Sequence, residues 1–186
     1  KGWDRDRYGK WLAPRDEVDV MVRSMFRDRR VAWFGVDPSP ARDDDESSYW
    51  LPTVDGWHRD FRDKLPVWAT PGVKGHSVLF DMRLSVPGGV DRNRLFTLTA
   101  GQVEHWIDEE GLGFTHDGDP RLVDHVSNAK RRPNAWGTSL GKVSRDSTEK
   151  VDLAVAMVGA IMGARLALNS GKVKTETVPR KVVILS

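Results

Sequence analysis

The chain has 186 residues, of which 39% are hydrophobic and eight are tryptophan, and it contains no cysteine. This composition predicts one domain with an apolar core and excludes a disordered polar tail. Disulfides and thiolate metal sites are also excluded, so any metal must use carboxylate, imidazole or water ligands. No run of ~18 apolar residues is present, so we expect no transmembrane helix and no membrane partner.

The net charge of +2 is unevenly distributed, with +7 over residues 121–186 and −5 over residues 1–120. This asymmetry fits a polyanion-binding face beside an acidic site, but it also fits a solvated surface whose charges cancel in space. The chain starts at Lys1 rather than at a methionine, and we expect a processed or cropped product.

In the first half, the pattern predicts helices at about residues 14–28 and 48–64. The first has an apolar stripe that includes Val22 and Phe26, and the second has Trp50, Val54, Trp57 and Phe61 on one face. A short buried strand is predicted at residues 31–36, where it ends at Asp37-Pro38. Further extended segments are predicted at residues 67–69 and 77–84.

The second half reads as an extended segment at residues 94–98, followed by a helix at 100–110 that Thr99 would cap. Asp119 and Pro120 predict the start of another helix. A hairpin or excursion is expected at 135–143, and one buried apolar helix at 150–168. Residues 171–186 read as a basic tail with an edge strand near its end. Because strands alternate with helices, we predict an α/β fold.

Two carboxylates, Asp37 and Asp152, interrupt or end apolar segments. Such groups need a hydrogen bond, an ionic partner or a metal to avoid a large desolvation cost. Asp37 fits either a plain turn residue or a metal ligand held at the end of a strand. Asp152 fits either a helix-dipole acid in the first turn or a metal ligand.

Other polar residues give weaker indications of a functional site. His125 and Asn128, at i and i+3 on one predicted helix, are either a polar pair at the core edge or groups that orient a carboxylate. The acidic run at residues 43–45 and the turn at 116–119 fit solvated or capping roles. Residues 137–142 mimic a phosphate loop, but the spacing is one residue short and Val143 stands where Ser or Thr is required.

Several segments, taken in order, resemble the nuclease domain of phage terminase large subunits, most closely those of actinobacterial tailed phages. One is Thr-His-Asp-Gly-Asp-Pro-Arg-Leu-Val-Asp-His-Val-Ser-Asn-Ala at residues 115–129. The others are residues 11–19, 31–38, 57–61, 137–142 and 150–156, the last reading Lys-Val-Asp-Leu-Ala-Val-Ala. The resemblance covers about residues 1–167, and the motifs are specific only in combination.

The resemblance implies a partial ribonuclease-H-like core over residues 1–170, a mixed sheet flanked by helices from which we expect the first strands to be missing. It also implies a metal-dependent endonuclease that cuts concatemeric double-stranded DNA during packaging with two Mg²⁺ or Mn²⁺ ions. Asp37 and Asp152 match the family's metal-binding carboxylates. His125 and Asn128 would lie behind the metal ligands, and Lys130, Arg131 and Arg132 would contact DNA phosphates.

The same resemblance implies partners and a location: the packaging ATPase domain, the small terminase subunit, the portal, and the host cytoplasm at the procapsid portal. The chain departs from the family because the first catalytic aspartate, in a Phe-Asp-Gly-Ser type motif, and the ATPase domain are expected upstream of Lys1. Two alternatives therefore remain: a non-catalytic DNA-binding or assembly remnant, and another ribonuclease-H-like nuclease such as a resolvase.

Overall fold

Five helices and one β-hairpin make up the part of the chain that the computed structural model describes, residues 14–38, 44–82, 90–108, 116–144 and 147–173. The elements, in chain order, are α1 (Arg15–Asp28), α2 (Asp44–Phe61), α3 (Arg92–Asp108), α4 (Pro120–Asn128), β1 (Lys130–Asn134), β2 (Gly137–Gly141) and α5 (Asp152–Asn169). The expectations for residues 1–13 and for the tail beyond 173 lie outside these residues.

The first apolar cluster lies between α1 and α2, where the sequence patterns predicted inward faces. Phe26 of α1 stacks on Phe61 of α2 with ring centroids 3.9 Å apart. Trp57 is buried, and its indole Nε1 donates to the Asp19 carboxylate at 2.7 Å. Val54 is fully buried in the same cluster. The predicted apolar faces of both helices are therefore confirmed, although α2 begins at Asp44 rather than near Ser48.

The second cluster joins α3 and α5 with the segments before α3. Phe96, Val158 and Met162 are buried together in it. Trp33 packs onto this cluster beside Gly163 of α5, and its indole Nε1 donates to the Ala69 carbonyl at 3.2 Å. The loop that carries Trp33 is thus fixed to α5 by one large side chain.

The strand predicted at residues 31–36 is not formed as a strand. Only Val36 pairs, in a single parallel bridge to Leu79, with Val36 N donating to Val78 O and Phe80 N donating to Val36 O, both at 2.8 Å. Residue type favoured an extended chain, but strand pairing also needs a partner over several residues, and this partner pairs at one position only.

The extended segment predicted at residues 94–98 is wrong, because these residues belong to α3. Asp91 accepts a hydrogen bond from Arg94 N at 3.0 Å, which is N-cap geometry, and the helix begins at Arg92. Thr99 lies inside the helix and donates its hydroxyl to Leu95 O at 2.9 Å instead of capping.

The elements after α3 mostly follow their local signals. Asp119 caps α4 by accepting from Arg121 N at 2.9 Å, and Pro120 is the first helical residue, as predicted. The expected hairpin is present, but its first strand starts at Lys130 rather than near Ala135. β1 and β2 are antiparallel: Lys130 is opposite Gly141 at the open end, and Asn134 is opposite Gly137 at the turn.

Helix α5 lies where the last helix was predicted, but it is less buried than predicted. It was expected to be buried on all sides, but only 28% of Asp152–Asn169 is buried, and Leu168 is exposed. Asp152–Asn169 has 18 residues and a mean hydropathy of 1.4, so its length and composition alone would allow it to cross a membrane, as those of many core helices also would. In the structure it packs against α3 and α4.

The described residues therefore have a mixed helical and β character in which the only sheet is the two-stranded hairpin. This agrees with the general α/β class. The mixed sheet flanked by helices is not seen among these residues, and the ribonuclease-H-like core stays a prediction.

Candidate functional site

Asp37 lies just after the parallel bridge formed by Val36, at the carboxyl end of its segment. It is exposed, whereas the following Pro38 is buried. Its negative charge acts on the guanidinium of Arg92, the first residue of α3. The neighbouring parallel segment ends nearby at Asp81, which is buried. Asp37 and Asp81 thus each follow one of the two bridged segments, at the same end of the parallel pair.

Arg92 is the centre of this region and is only 4% exposed. Its Nε donates to the Thr70 hydroxyl at 2.7 Å, and its Nη1 donates to the Asp81 carbonyl at 2.9 Å. Burial lowers the pKa of Arg92, while the charges of Asp81 and Asp37 act in the opposite direction. The guanidinium therefore ties the segment that ends at Asp81, together with Thr70, to the start of α3.

Sequence reasoning missed Asp81 and Arg92, although a signal for Asp81 was available. Residues 78–80 are an apolar run that ends in an aspartate, which repeats the arrangement of residues 31–37. No comparable pattern identified Arg92, because a buried arginine and an exposed one look the same in a sequence.

Asp152 is exposed at the first position of α5 and lies beside α4. Leu153 N donates to His125 Nδ1 at 2.9 Å, and Asn128 Nδ2 donates to the Lys150 carbonyl at 3.1 Å. His125 and Asn128 therefore hold the backbone on both sides of Asp152. These hydrogen bonds are made to backbone atoms and not to the Asp152 carboxylate, whereas the predicted role was to orient a carboxylate directly.

The interactions of Asp37 and those of the backbone around Asp152 lie on different elements. Asp37 lies near Arg92, at the start of α3, whereas the last residues of α3, Ile107 and Asp108, line one cleft with Ala154 near the start of α5. A 17-residue helix is about 25 Å long. Two carboxylates that share one Mg²⁺ must approach within about 4 Å of each other. These contacts associate Asp37 with the start of α3 and the beginning of α5, which carries Asp152, with its end, so they do not place the two carboxylates at one site.

In the described part of the chain, the structure does not show the two-metal centre that the resemblance implies, which stays a prediction. Among the residues that the structure describes, no group of three or more histidine, aspartate or glutamate side chains is placed to hold a metal ion. Asp37 lies within the electrostatic range of a guanidinium, and Asp152 lies exposed at a helix start. No catalytic step through a metal follows from this geometry.

The three predicted DNA-contacting residues lie on β1, and all are exposed. Their surroundings differ. Arg131 Nε binds Glu104 Oε1 at 2.5 Å, and its Nη2 lies 3.6 Å from the Asp108 carboxylate. Glu104 raises the pKa of Arg131. Lys130 has no comparable carboxylate partner among the described residues, so the three cations are not equivalent.

A cleft of ≈220 Å³ lies below the hairpin, between α3, α4 and α5. Its floor is apolar and includes Val103, Met157 and Val158, whereas Lys130 and Arg131 belong to its β1 side.

Comparison with known proteins finds relatives in bacteriophages. The chain is 33% identical over 174 residues to the Gene 13 protein of Mycobacterium phage D29, an alignment that covers 93% of this chain and 26% of that protein. It is 35% identical over 164 residues to the Gene 13 protein of Mycobacterium phage L5, covering 88% of this chain and 24% of that protein. The expected bacteriophage relationship is thereby confirmed.

The chain spans about a quarter of the length of the curated relatives it matches. No protein-family model matches it. No solved structure matches it either.

Proposed function

We propose that the chain is part of the nuclease region of a phage DNA-packaging terminase large subunit, whose activity is the metal-dependent cutting of concatemeric double-stranded DNA. Similarity to phage proteins over nearly the whole chain, together with the order of the motifs, supports this proposal. Because the chain spans about a quarter of those relatives, the remaining parts of such a protein would supply the ATPase.

The observation that carries the proposal is the contact between two motifs that are separate in sequence. Residues 115–129 and 150–156 belong to different segments of the resemblance. In the structure, His125 and Asn128 of the first segment hold the backbone around Asp152 of the second. The carboxylate is thus presented at a fixed helix start, as a residue that contributes to a site should be.

In this proposal the substrate is duplex DNA, and the cofactor is Mg²⁺ or Mn²⁺. The partners are the ATPase domain, the small terminase subunit and the portal, in the host cytoplasm at the procapsid. Asp37 and Asp152 remain the carboxylates we assign to the chemistry. Since no group of three metal-binding side chains is assembled among the described residues, we expect this chain to be nearly inert as a nuclease by itself.

A second candidate, a non-catalytic DNA-binding or assembly module, is favoured by one specific observation. Asp37, the carboxylate expected to hold a metal, lies beside the buried Arg92, and a nearby positive charge disfavours the binding of a divalent cation. In this reading Asp37 and Arg92 serve to fix the fold, and the chain contributes only surface contacts.

A plasmid-cleavage assay with Mn²⁺ or Mg²⁺ tests the proposal. The complete reading frame that contains this chain should cut DNA, EDTA should stop the reaction, and the 186-residue chain alone should not cut. Asp37→Asn and Asp152→Asn in the complete protein should each abolish cutting, because asparagine keeps the shape and removes the charge. Asp63→Asn, at an exposed aspartate, is the matched control and should cut normally.

The two candidates give different results. Cutting that persists in both variants would refute the site assignment. A complete protein that binds duplex DNA but never cuts it would support the non-catalytic module instead.

A further inference from the structure

The β1–β2 hairpin is fixed along α3 at three successive levels. Near its tip, Asn134 Nδ2 donates to the Thr97 hydroxyl at 2.8 Å. In the middle, the Thr138 carbonyl lies against Gly101, 3.8 Å from where a Cβ would be. At its base, Arg131 binds Glu104 of α3. A hairpin held at three levels presents its outer face as a rigid surface.

The pleat of the hairpin separates its cations onto two faces. Arg131 is directly opposite Leu140, so the two side chains share a face. Leu140 packs against the cluster of α3 and α5, which makes this the inner face. Because side chains alternate along a strand, Lys130 and Arg132 lie on the opposite face, named here the outer face, which Asn134 at the tip shares while it bonds to Thr97 of α3.

Arg132 is held in one orientation on that outer face. Its aliphatic part lies across Gly141, where a Cβ would come within 3.1 Å of its Cγ. Its Nη2 donates to the carbonyls of Lys142 and Val143, the latter at 2.8 Å. Within the described residues, Nε and Nη1 have no hydrogen-bond partner. Nε and Nη1 point away from each other, so each is suited to donate a separate charge-assisted hydrogen bond to a phosphate oxygen.

We propose that Arg132 is the principal phosphate-binding side chain of a duplex-DNA contact on the outer face of the hairpin. Lys130 assists it, and Arg131 positions the hairpin without touching DNA. The inference rests on the proposed function, because it takes duplex DNA as the ligand. It goes further by assigning different roles to three adjacent cations.

The test measures binding of the full chain to a labelled duplex of mixed sequence, by fluorescence anisotropy at several salt concentrations. Arg132→Gln should reduce the slope of log affinity against log salt by about 0.9 and weaken binding about five- to tenfold near 0.1 M salt. Lys130→Gln should reduce the slope by a similar amount.

Three further variants keep the net charge of the chain unchanged. Gly141→Ala should weaken binding severalfold, because its Cβ displaces Arg132 while every charge remains. Gly75→Ala is its matched control, since a Cβ there meets nothing within 4 Å, and binding should not change. The double variant Arg131→Gln with Glu104→Gln should keep the salt slope and lower the melting temperature, as a positioning pair requires.

The possible failures are distinguishable. A wild-type chain that does not bind duplex DNA even at low salt would overturn both this inference and the DNA contact in the proposed function. Wild-type binding with an unchanged slope in Arg132→Gln would overturn the inference alone. A slope that falls in the Arg131–Glu104 double variant would show that Arg131 contacts DNA and would also overturn it.

Discussion

Substituting Gly163 by alanine should destabilise the chain, although alanine is usually the better helix residue. A Cβ at this position would lie 2.2 Å from Cε3 and 2.5 Å from Cδ2 of the Trp33 indole. The indole is rigid, and its Nε1 already donates to Ala69 O at 3.2 Å, so it cannot move away without losing that bond. Overpacking of this kind costs up to about 3 kcal/mol, and the helix preference of alanine offsets about 1 kcal/mol.

The net loss is therefore about 2 kcal/mol, which corresponds to a decrease of about 4–8 °C in the melting temperature of a chain of this size. Gly159, one turn earlier on α5, is the matched control, since a Cβ there meets nothing within 4 Å. Gly159→Ala should raise the melting temperature by about 1–4 °C. Thermal unfolding followed by far-UV circular dichroism measures both.

A double-mutant cycle with Trp33→Ala identifies the cause. If the indole is responsible, the penalty of Gly163→Ala should largely disappear when Trp33 is absent. A Gly163→Ala variant that melts at or above the wild-type temperature would refute the packing of Trp33 on α5.

Two further predictions concern single hydrogen-bonding side chains. Burial lowers the pKa of His76 below its usual 6.5, against the opposing effect of Asp55, so its stabilising contribution is present above about pH 6.5 and lost on acidification. The urea midpoint should fall from pH 7 to pH 5, less steeply in His76→Gln, and a midpoint that rises would contradict this. Asn128→Ala should cost about 1 kcal/mol, because the bond to the Lys150 carbonyl is lost. An unchanged thermal melt would show that this bond does not hold the start of α5.

The sequence was sufficient to predict a helix where the residues that cap it or form its buried face are close together in the chain. Asp119 and Pro120 start α4 because the cap and the first turn are adjacent. The apolar positions of α2 repeat at helical spacing, and Val54, Trp57 and Phe61 are buried accordingly. The same kind of signal was present but overlooked for α3, where Asp91 rather than Thr99 is the capping residue.

The strand at residues 31–36 shows the limit of local reasoning. β-branched and aromatic residues favour an extended chain, but a strand also needs a partner whose hydrogen-bonding groups align over several positions. Val36 pairs with Leu79, 43 positions later, and the pairing stops there. Neither segment contains the information about where the other will lie.

The sequence by itself determined which residue types were available for chemistry: carboxylates at 37 and 152, imidazole at 125, and three consecutive cations at 130–132. Only the tertiary structure decided how they combine. Asp37 is associated with the start of α3 and the beginning of α5 with its end, and the pleat of β1 turns Arg131 towards Glu104 while Arg132 lies on the opposite face. The physical reason is that the charge a residue experiences depends on neighbours brought by other elements, and those neighbours are distant along the chain.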